Sequence, residues 1–105
     1  MDKIAMLSEI LAANPADSFA RYGLGMAHLG EGNTDAALAE FEATTTHNPD
    51  YVPAYQMSGQ TLAKLHRTDE AKARLQAGLD AAARTGNAHA ASEMQALLDE
   101  LEAGY

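Results

Sequence analysis

The amino-acid sequence predicts an all-α protein, an α-solenoid in which antiparallel helix hairpins repeat along the chain. Of the 105 residues, 23 are Ala, the residue with the highest helix propensity. The chain has only three Pro, one Val and two Ile, so it offers few of the aliphatic β-branched residues that strands favour. Finally, the sequence matches itself when it is shifted by 34 residues, a period typical of repeated helix hairpins.

The 34-residue match falls on residues that govern helix packing and helix ends. The coinciding pairs are Asn14-Pro15 with Asn48-Pro49, Gly25 with Gly59, and Ala37 with Ala71. Gly25 and Gly59 are expected to let two helices approach closely, because glycine has no Cβ atom. A three-way coincidence of Ala20, Ala54 and Ala88 extends the period to the end of the chain.

Residues typical of helix ends divide the chain into about six helices. The expected helices cover residues 2–13, 17–30, 34–46, 51–65, a segment that starts at Thr68, and 88–102. We expect Asp2, Thr34 and Thr68 to cap their helices, because their side-chain oxygens can accept hydrogen bonds from free backbone N–H groups. Connections of three to five residues then favour antiparallel neighbours.

Two segments carry similar motifs at this period. The first reads Arg21-x2-Leu24-Gly25-x2-His28 and then Ala37-x3-Phe41, and the second reads Tyr55-x2-Ser58-Gly59-x2-Leu62 and then Ala71-x3-Leu75. This pattern resembles the tetratricopeptide repeat (TPR) family, whose units read W-x2-L-G-x2-Y and then A-x3-F. The resemblance implies one TPR-like domain over residues 1–105. Its parts are a half repeat (1–16), two repeats (17–50 and 51–84) and a capping helix (87–105).

The last segment departs from the repeat pattern. Glu93 stands where a third Gly is expected, so the array should not continue there. Its apolar residues fall within about 100° on a helical wheel, and they are Ala90, Met94, Leu97, Leu98 and Leu101. One apolar face and one polar face are what the terminal cap of a solenoid requires, so we expect this helix to be a cap.

Charge and composition exclude several classes of function. The net charge is −8, whereas nucleic acids and anionic membranes bind basic surfaces. The absence of Cys excludes a disulfide framework, a thiolate zinc site and a cysteine nucleophile. No long apolar run suggests a signal peptide or a membrane span, so we expect a cytoplasmic protein.

Side chains able to catalyse reactions or bind metals form no recognisable motif. His28, His47, His66 and His89 are spaced 19, 19 and 23 residues apart, so no two of them have the i, i+4 spacing of a helical zinc motif. The clustered carboxylates fall on predicted polar helix faces, and they are Glu40, Glu42, Asp99, Glu100 and Glu102. We therefore expect no catalytic residue, no metal ion and no cofactor.

The TPR resemblance also implies a partner-binding groove lined by the first helix of each repeat. In the first repeat the groove positions are Phe19, Tyr22, Met26 and Leu29, here called the Phe19 stripe. In the second they are Pro53, Gln56, Gln60 and Ala63, and we also assign Met57 and Lys64 to the groove. Apolar side chains beside Gln suit an apolar or amphipathic peptide segment. The basic clamp that some TPR domains use for a carboxylate is not expected, because its positions carry Tyr22, Met26 and Gln56. The alternative is that the Phe19 stripe is ordinary core, covered within the chain or by another copy.

The first helix is a candidate for self-association. It carries a wide apolar arc that includes Ile4, Leu7 and Leu11, and it resembles the second helix of a repeat whose first helix is missing. Burying an exposed Leu or Ile contributes roughly 1.5–3 kcal/mol. The sequence therefore leaves two functions open: a module that binds a peptide segment of a partner protein, or a self-assembling subunit, such as a homodimer, whose groove or first helix is buried against another copy.

Overall fold

Six α-helices and no strand make up residues 2–104, the part of the chain that the computed structural model describes. The helices are α1 (Lys3–Ala13), α2 (Ser18–Gly30), α3 (Thr34–His47), α4 (Val52–Lys64), α5 (Thr68–Thr85) and α6 (Ala88–Glu102). The predicted all-α class and the six helices are confirmed. The helices group into two compact units, Met1–Asn48 and Pro49–Tyr105.

The helix starts follow two different rules. Asp2 and Asp17 cap α1 and α2 by accepting hydrogen bonds from the backbone N–H groups of Ala5 and Ala20 at 2.8 and 2.9 Å. The predicted caps at Thr34 and Thr68 are wrong, because each of these residues is already the first helical one. The residue before each of them is held by the preceding helix, since Asn33 N donates to His28 O and Arg67 N to Leu62 O, both at 2.9 Å.

In the first unit, α2 lies between α1 and α3. Leu7 and Leu11 of α1 pack against Ala20 and Leu24 of α2 and form a buried cluster. On the side of α3, a Cβ atom at Gly25 would lie 2.6 Å from the Cε1 atom of Phe41, which is fully buried. The predicted close crossing at Gly25 is confirmed.

The second unit repeats this hairpin with α4 and α5. Arg74 of α5 donates from Nε to the Ser58 Oγ at 2.9 Å, whereas Gly78, one turn later, lies against Tyr55, one turn earlier on α4. Contacts that advance on one helix and recede on the other show that the two helices are antiparallel. A Cβ atom at Gly59 would lie 2.6 Å from the Leu75 Cδ2, so the second close crossing is confirmed as well.

The last helix completes the core of the second unit. Its buried residues Ala90, Met94 and Leu98 join Tyr55 and Leu75 in one apolar cluster. A Cβ atom at Gly78 would lie 2.6 Å from the Met94 Sδ and 2.7 Å from the Tyr55 Cβ. At Gly78, α5 therefore contacts both α4 and α6 with no side chain of its own between the helices. None of the helices in residues 2–104 has the length and apolar character needed to cross a membrane.

Candidate functional site

Helix α2 has one face in the core of the first unit and another face at its surface. Ala20 and Leu24 are 2% and 8% exposed and pack against α1. The Phe19 stripe lies outside this cluster: Phe19 is 77% exposed, and Tyr22, Met26 and Leu29 are half-buried. The stripe is therefore an accessible apolar surface of this chain, and its role in binding a partner stays a prediction.

Tyr22 connects the Phe19 stripe to the core. Its ring centroid lies 5.6 Å from that of Phe41, with the two ring planes inclined by 39°, an arrangement that aromatic pairs favour. Partial burial raises the pKa of the Tyr22 phenol above its usual value, because desolvation disfavours the phenolate. The phenol is consequently a neutral hydroxyl that can donate or accept hydrogen bonds at physiological pH.

Polar groups on both sides of this aromatic pair are incompletely paired. The Glu40 Oε2 lies 3.8 Å from the Arg21 Nη1, which is an electrostatic contact but too long for a hydrogen bond. The Arg21 Nη2 instead donates to the Pro15 carbonyl at 3.1 Å. The buried Glu40 Oε2 and His28 Nδ1 atoms have no hydrogen-bond partner among the described residues. Arg21 and His28 thus occupy the aromatic positions of the TPR pattern without forming a complete polar network.

In the second unit, three of the six predicted groove residues line a pocket. Gln60, Ala63 and Lys64 of α4 are joined there by three residues of α6, namely Leu97, Glu100 and Leu101. The pocket volume is about 300 Å³, close to the lower limit for sites that hold small ligands. Gln56 and Met57 are half-buried and do not line it.

The sequence assigned the α6 side of this pocket to other roles. Leu97 and Leu101 were expected to belong to the cap, and Glu100 to a solvated face. In the structure, Leu97 and Leu101 pack on the core of the unit and also line the pocket. The 34-residue period could have indicated this role for Leu97, because Leu97 aligns in sequence with the groove position Ala63.

The residues proposed for self-association are already engaged within the chain. Leu7 and Leu11 are 9% and 8% exposed and face α2, and Ile4 packs beside them. The large apolar side chains that α1 exposes are Met6 and Ile10, at 48% and 41%. Self-association through α1 stays a prediction, and the side chains available for it are these two.

Several titratable side chains of the described residues form ion pairs on exposed helix surfaces. No group of three or more His, Asp or Glu residues there is placed to hold a metal ion. His89 Nε2 lies 3.2 Å from the Glu93 Oε1 on the exposed side of α6. Arg67 forms two hydrogen bonds with Glu70 at 3.0 and 2.7 Å, and these hydrogen bonds lower the pKa of the Glu70 carboxyl.

Comparison with known proteins identifies the repeat. A family model described as tetratricopeptide repeat matches residues 4–57 and also residues 28–98. The solution NMR structure of a TPR domain protein from Salinibacter ruber has 35% sequence identity and a TM-score of 0.81, and the match covers 88% of this chain and 93% of that one. A crystal structure of a TPR domain protein from the same organism has 36% identity and a TM-score of 0.77, with coverages of 82% and 97%.

Structures of lower identity share the fold. The TPR2B domain of yeast Sti1, solved in a complex with pHsp70, has 18% identity and a TM-score of 0.87 over 97% of this chain and 82% of that one. The Yersinia enterocolitica type III secretion translocator chaperone SycD has 14% identity and a TM-score of 0.85 over 94% and 69%. No curated protein matches the chain significantly.

Proposed function

Because this chain belongs to the tetratricopeptide repeat family, we propose that it is a protein–protein interaction module without catalytic activity. Its ligand is an apolar or amphipathic peptide segment of a partner protein. The contact residues proposed in the first unit are the Phe19 stripe, and those proposed in the second unit, taken by itself, are Gln56, Met57, Gln60 and Lys64 on α4. Helical repeat proteins commonly bind through such surfaces, because they expose one face of each repeat.

One observation carries this proposal, namely the exposure of a large aromatic side chain on a helix whose core face is already filled. Phe19 is 77% exposed, while Ala20 beside it is buried against α1. Fully burying a Phe, Leu or Met side chain contributes roughly 1.5–3 kcal/mol. A partner that covers the Phe19 stripe would therefore gain binding free energy that the isolated chain does not use.

Related structures lend this role general support. The Sti1 domain was solved with a bound partner, and SycD is described as a chaperone. Both share the fold at low identity, so they support binding by this architecture, and the partner of this chain is proposed from its own surface. That surface carries Tyr22, Met26 and Gln56 at the clamp positions, so the proposed segment is apolar or amphipathic rather than a free carboxylate tail.

Self-assembly is the second candidate function, favoured by the exposure of Met6 and Ile10 on α1. Stable interfaces bury about 800 Å² per partner, and two half-exposed side chains supply only a small part of that area. A homodimer built on α1 would need further surface from outside this helix. We therefore rank peptide binding first and keep the homodimer as a distinct outcome of the test.

The test compares two identical substitutions, Met26→Glu in the Phe19 stripe and Met6→Glu on α1. Peptides selected from a random displayed library on the wild-type protein should bind Met6→Glu but lose binding to Met26→Glu, because the new carboxylate would be desolvated in the contact. Met6→Glu should keep its melting temperature, because Met6 is exposed, and Met26→Glu should stay folded with at most a small loss of stability, because Met26 is only half-buried. Phe19→Ser, at a more exposed position, provides a second disruption that does not threaten folding.

Three results would contradict peptide binding at the Phe19 stripe. They are failure to select any peptide, full binding by Met26→Glu and Phe19→Ser, or unfolding of Met26→Glu together with full binding by Phe19→Ser. Light scattering on the same samples addresses the alternative: a wild-type dimer that Met6→Glu dissociates would favour self-assembly through α1.

A further inference from the structure

The pocket between α4 and α6 has a volume of about 300 Å³ and is lined by both apolar and polar side chains. Leu97 and Leu101 form one wall and are fixed by their packing on the core of the second unit. Ala63 forms part of the other wall, with Gln60 and Lys64 on either side of it. The small side chain of Ala63 leaves room in the pocket, whereas the residue 34 positions later on α6 is the larger Leu97.

The rim of the pocket is electrostatically uneven. Lys64 is the last residue of α4, where a positive charge compensates the partial negative charge of the helix end. The last turn of α6 has no basic residue and carries Asp99, Glu100 and Glu102 instead. Asp99 accepts a hydrogen bond from Gln95 at 2.9 Å, whereas Glu100 has no ion pair among residues 2–104. The α6 side of the rim is therefore negative and uncompensated.

We infer that this pocket binds a large apolar side chain of a partner polypeptide, together with a neighbouring Arg or Lys that pairs with Glu100. The inference rests on the proposed function, because it takes the ligand to be a peptide segment. It adds the chemistry of that segment: basic and apolar, with the apolar side chain between Ala63 and Leu97 and the cation at the end of α6. The net charge of −8 steers such a segment toward the protein.

An acidic segment fits this pocket less well. Its carboxylate could approach Lys64, but Glu100 lines the same pocket and would repel it. Arg67, which follows Lys64 by three residues, is held by Glu70 through two hydrogen bonds. Of the residues that line the pocket, Lys64 is the only cation and Glu100 the only carboxylate. The carboxylates of Asp99 and Glu102 in the same last turn of α6 shift the balance toward basic ligands.

Two fluorescein-labelled helical peptides of about 15 residues, a length at which isolated helices become stable, test the inference. Both are Ala-based with capped ends and carry two Leu residues four positions apart; in one the flanking charged residues are Arg, and in the other they are Glu. Anisotropy titrations at low salt should give at least about tenfold tighter binding of the Arg peptide, and salt should weaken the preference. Equal binding, tighter binding of the Glu peptide, or binding of neither would overturn the inference.

Two substitutions then locate the binding. Ala63→Leu fills the pocket without changing the charge, and should weaken Arg-peptide binding about tenfold, the loss expected when one apolar side chain is excluded from a site. Ala73→Leu is the matched control, because Ala73 is exposed on α5 and should leave binding unchanged. Glu100→Lys should abolish or reverse the preference for the Arg peptide. If Ala63→Leu kept full affinity for the Arg peptide, or Glu100→Lys kept the full preference for it over the Glu peptide, the pocket would not be the binding site.

These outcomes are separable from failure of the proposed function. If library-selected peptides bind the wild type and are lost on Phe19→Ser, but are insensitive to Ala63→Leu, the chain is a peptide-binding module and the pocket inference is wrong. If no peptide of any kind binds, both proposals fall together. Circular dichroism melting of each variant confirms that the differences in binding do not arise from unfolding.

Discussion

The α2–α3 and α4–α5 hairpins each have a glycine at the same position of the repeat, but a different side chain packs against it. Gly25 and Gly59 each leave room for a side chain of the following helix, with 2.6 Å from the missing Cβ to the nearest carbon in both cases. In the first hairpin that carbon belongs to the aromatic ring of Phe41, and in the second to the branched end of Leu75. The period therefore preserves a close helix approach, while the residue that exploits it can change.

The exposed faces of the two hairpins differ much more than their interiors. The first presents Phe19 and a half-buried Met26; at the same positions the second has Pro53 and Gln60. In the second unit α6 packs beside the hairpin, and its Leu97 and Leu101 contribute apolar surface there. Residues that hold a hairpin together repeat because every copy needs them, whereas residues on the exposed faces are free to differ.

The largest expected effect is the loss of a close crossing. Gly25→Leu and Gly59→Leu should each destabilise the protein by about 3 kcal/mol, because the added side chain meets a filled core and forces the helices apart. Gly30→Leu is the control: Gly30 is also helical, but nothing lies within 4 Å of its missing Cβ. Chemical denaturation should show a clear loss for the first two variants and little change for the third; unchanged stability of Gly59→Leu would contradict the packing described for both hairpins.

A smaller change ranks the two crossings. Alanine gains about 1 kcal/mol over glycine in helix propensity, and this gain opposes the clash of its Cβ. Both side chains are fully buried, but the end of Leu75 is flexible, whereas the rigid ring of Phe41 is packed against that of Tyr22. Gly25→Ala should therefore be more destabilising than Gly59→Ala in denaturation experiments. The reverse order would show that Phe41, rather than Leu75, adapts more easily.

The turns provide a third contrast. Gly32 has φ +80 in the first hairpin, and the residue 34 positions later, His66, has φ +59, a conformation that costs residues with a Cβ atom roughly 1 kcal/mol. His66→Gly should stabilise the protein by a few tenths of a kcal/mol up to about 1 kcal/mol, after allowance for the greater freedom of Gly in the unfolded chain. Gly32→His should destabilise it by a similar amount. Thermal melts that move in the same direction for both variants would contradict this account of the turns.

The smallest expected effect is the pH dependence that arises from the Arg67–Glu70 pair of the second hairpin. Arg67 lowers the pKa of Glu70 chiefly through hydrogen bonds; the equivalent positions of the first hairpin are Asn33 and Ala36. Because the pKa is lowered in the folded state, the stabilisation is present above the unfolded-state pKa and is lost as the pH falls through the folded-state value. NMR titration of the Glu70 carboxyl should show its midpoint rising in Arg67→Gln. An unchanged midpoint would mean that the pair is not formed in solution.

The period and the helix-end residues were sufficient to predict the scaffold. Gly25 and Gly59 were assigned correctly to close crossings, because their physical role depends only on the absence of a Cβ. Thr34 and Thr68 were assigned wrongly as caps, since the C-terminal hydrogen bonds of the preceding helix fix the residue before each of them. Such hydrogen bonds between neighbouring elements are not visible as a residue type.

The candidate site was only partly predictable. The Phe19 stripe follows from helical spacing on a helix with a second apolar face. The α6 side of the pocket was missed, because Glu93 stands where a Gly is expected and α6 was therefore interpreted only as a capping helix. In the structure Glu93 is exposed and pairs with His89, so its side chain meets no neighbouring helix and no glycine is needed. The remaining pocket residues depend on how two helices pack, which composition does not determine.

The most direct test of peptide binding is chemical-shift mapping with a library-selected peptide on the isotopically labelled protein. If the peptide binds at the Phe19 stripe, the chemical shifts of the backbone amides of Phe19, Tyr22, Met26 and Leu29 should change on binding. Those of Met6 and Ile10 should not. Shifts centred on Met6 and Ile10, with the Phe19 stripe unperturbed, would contradict this prediction.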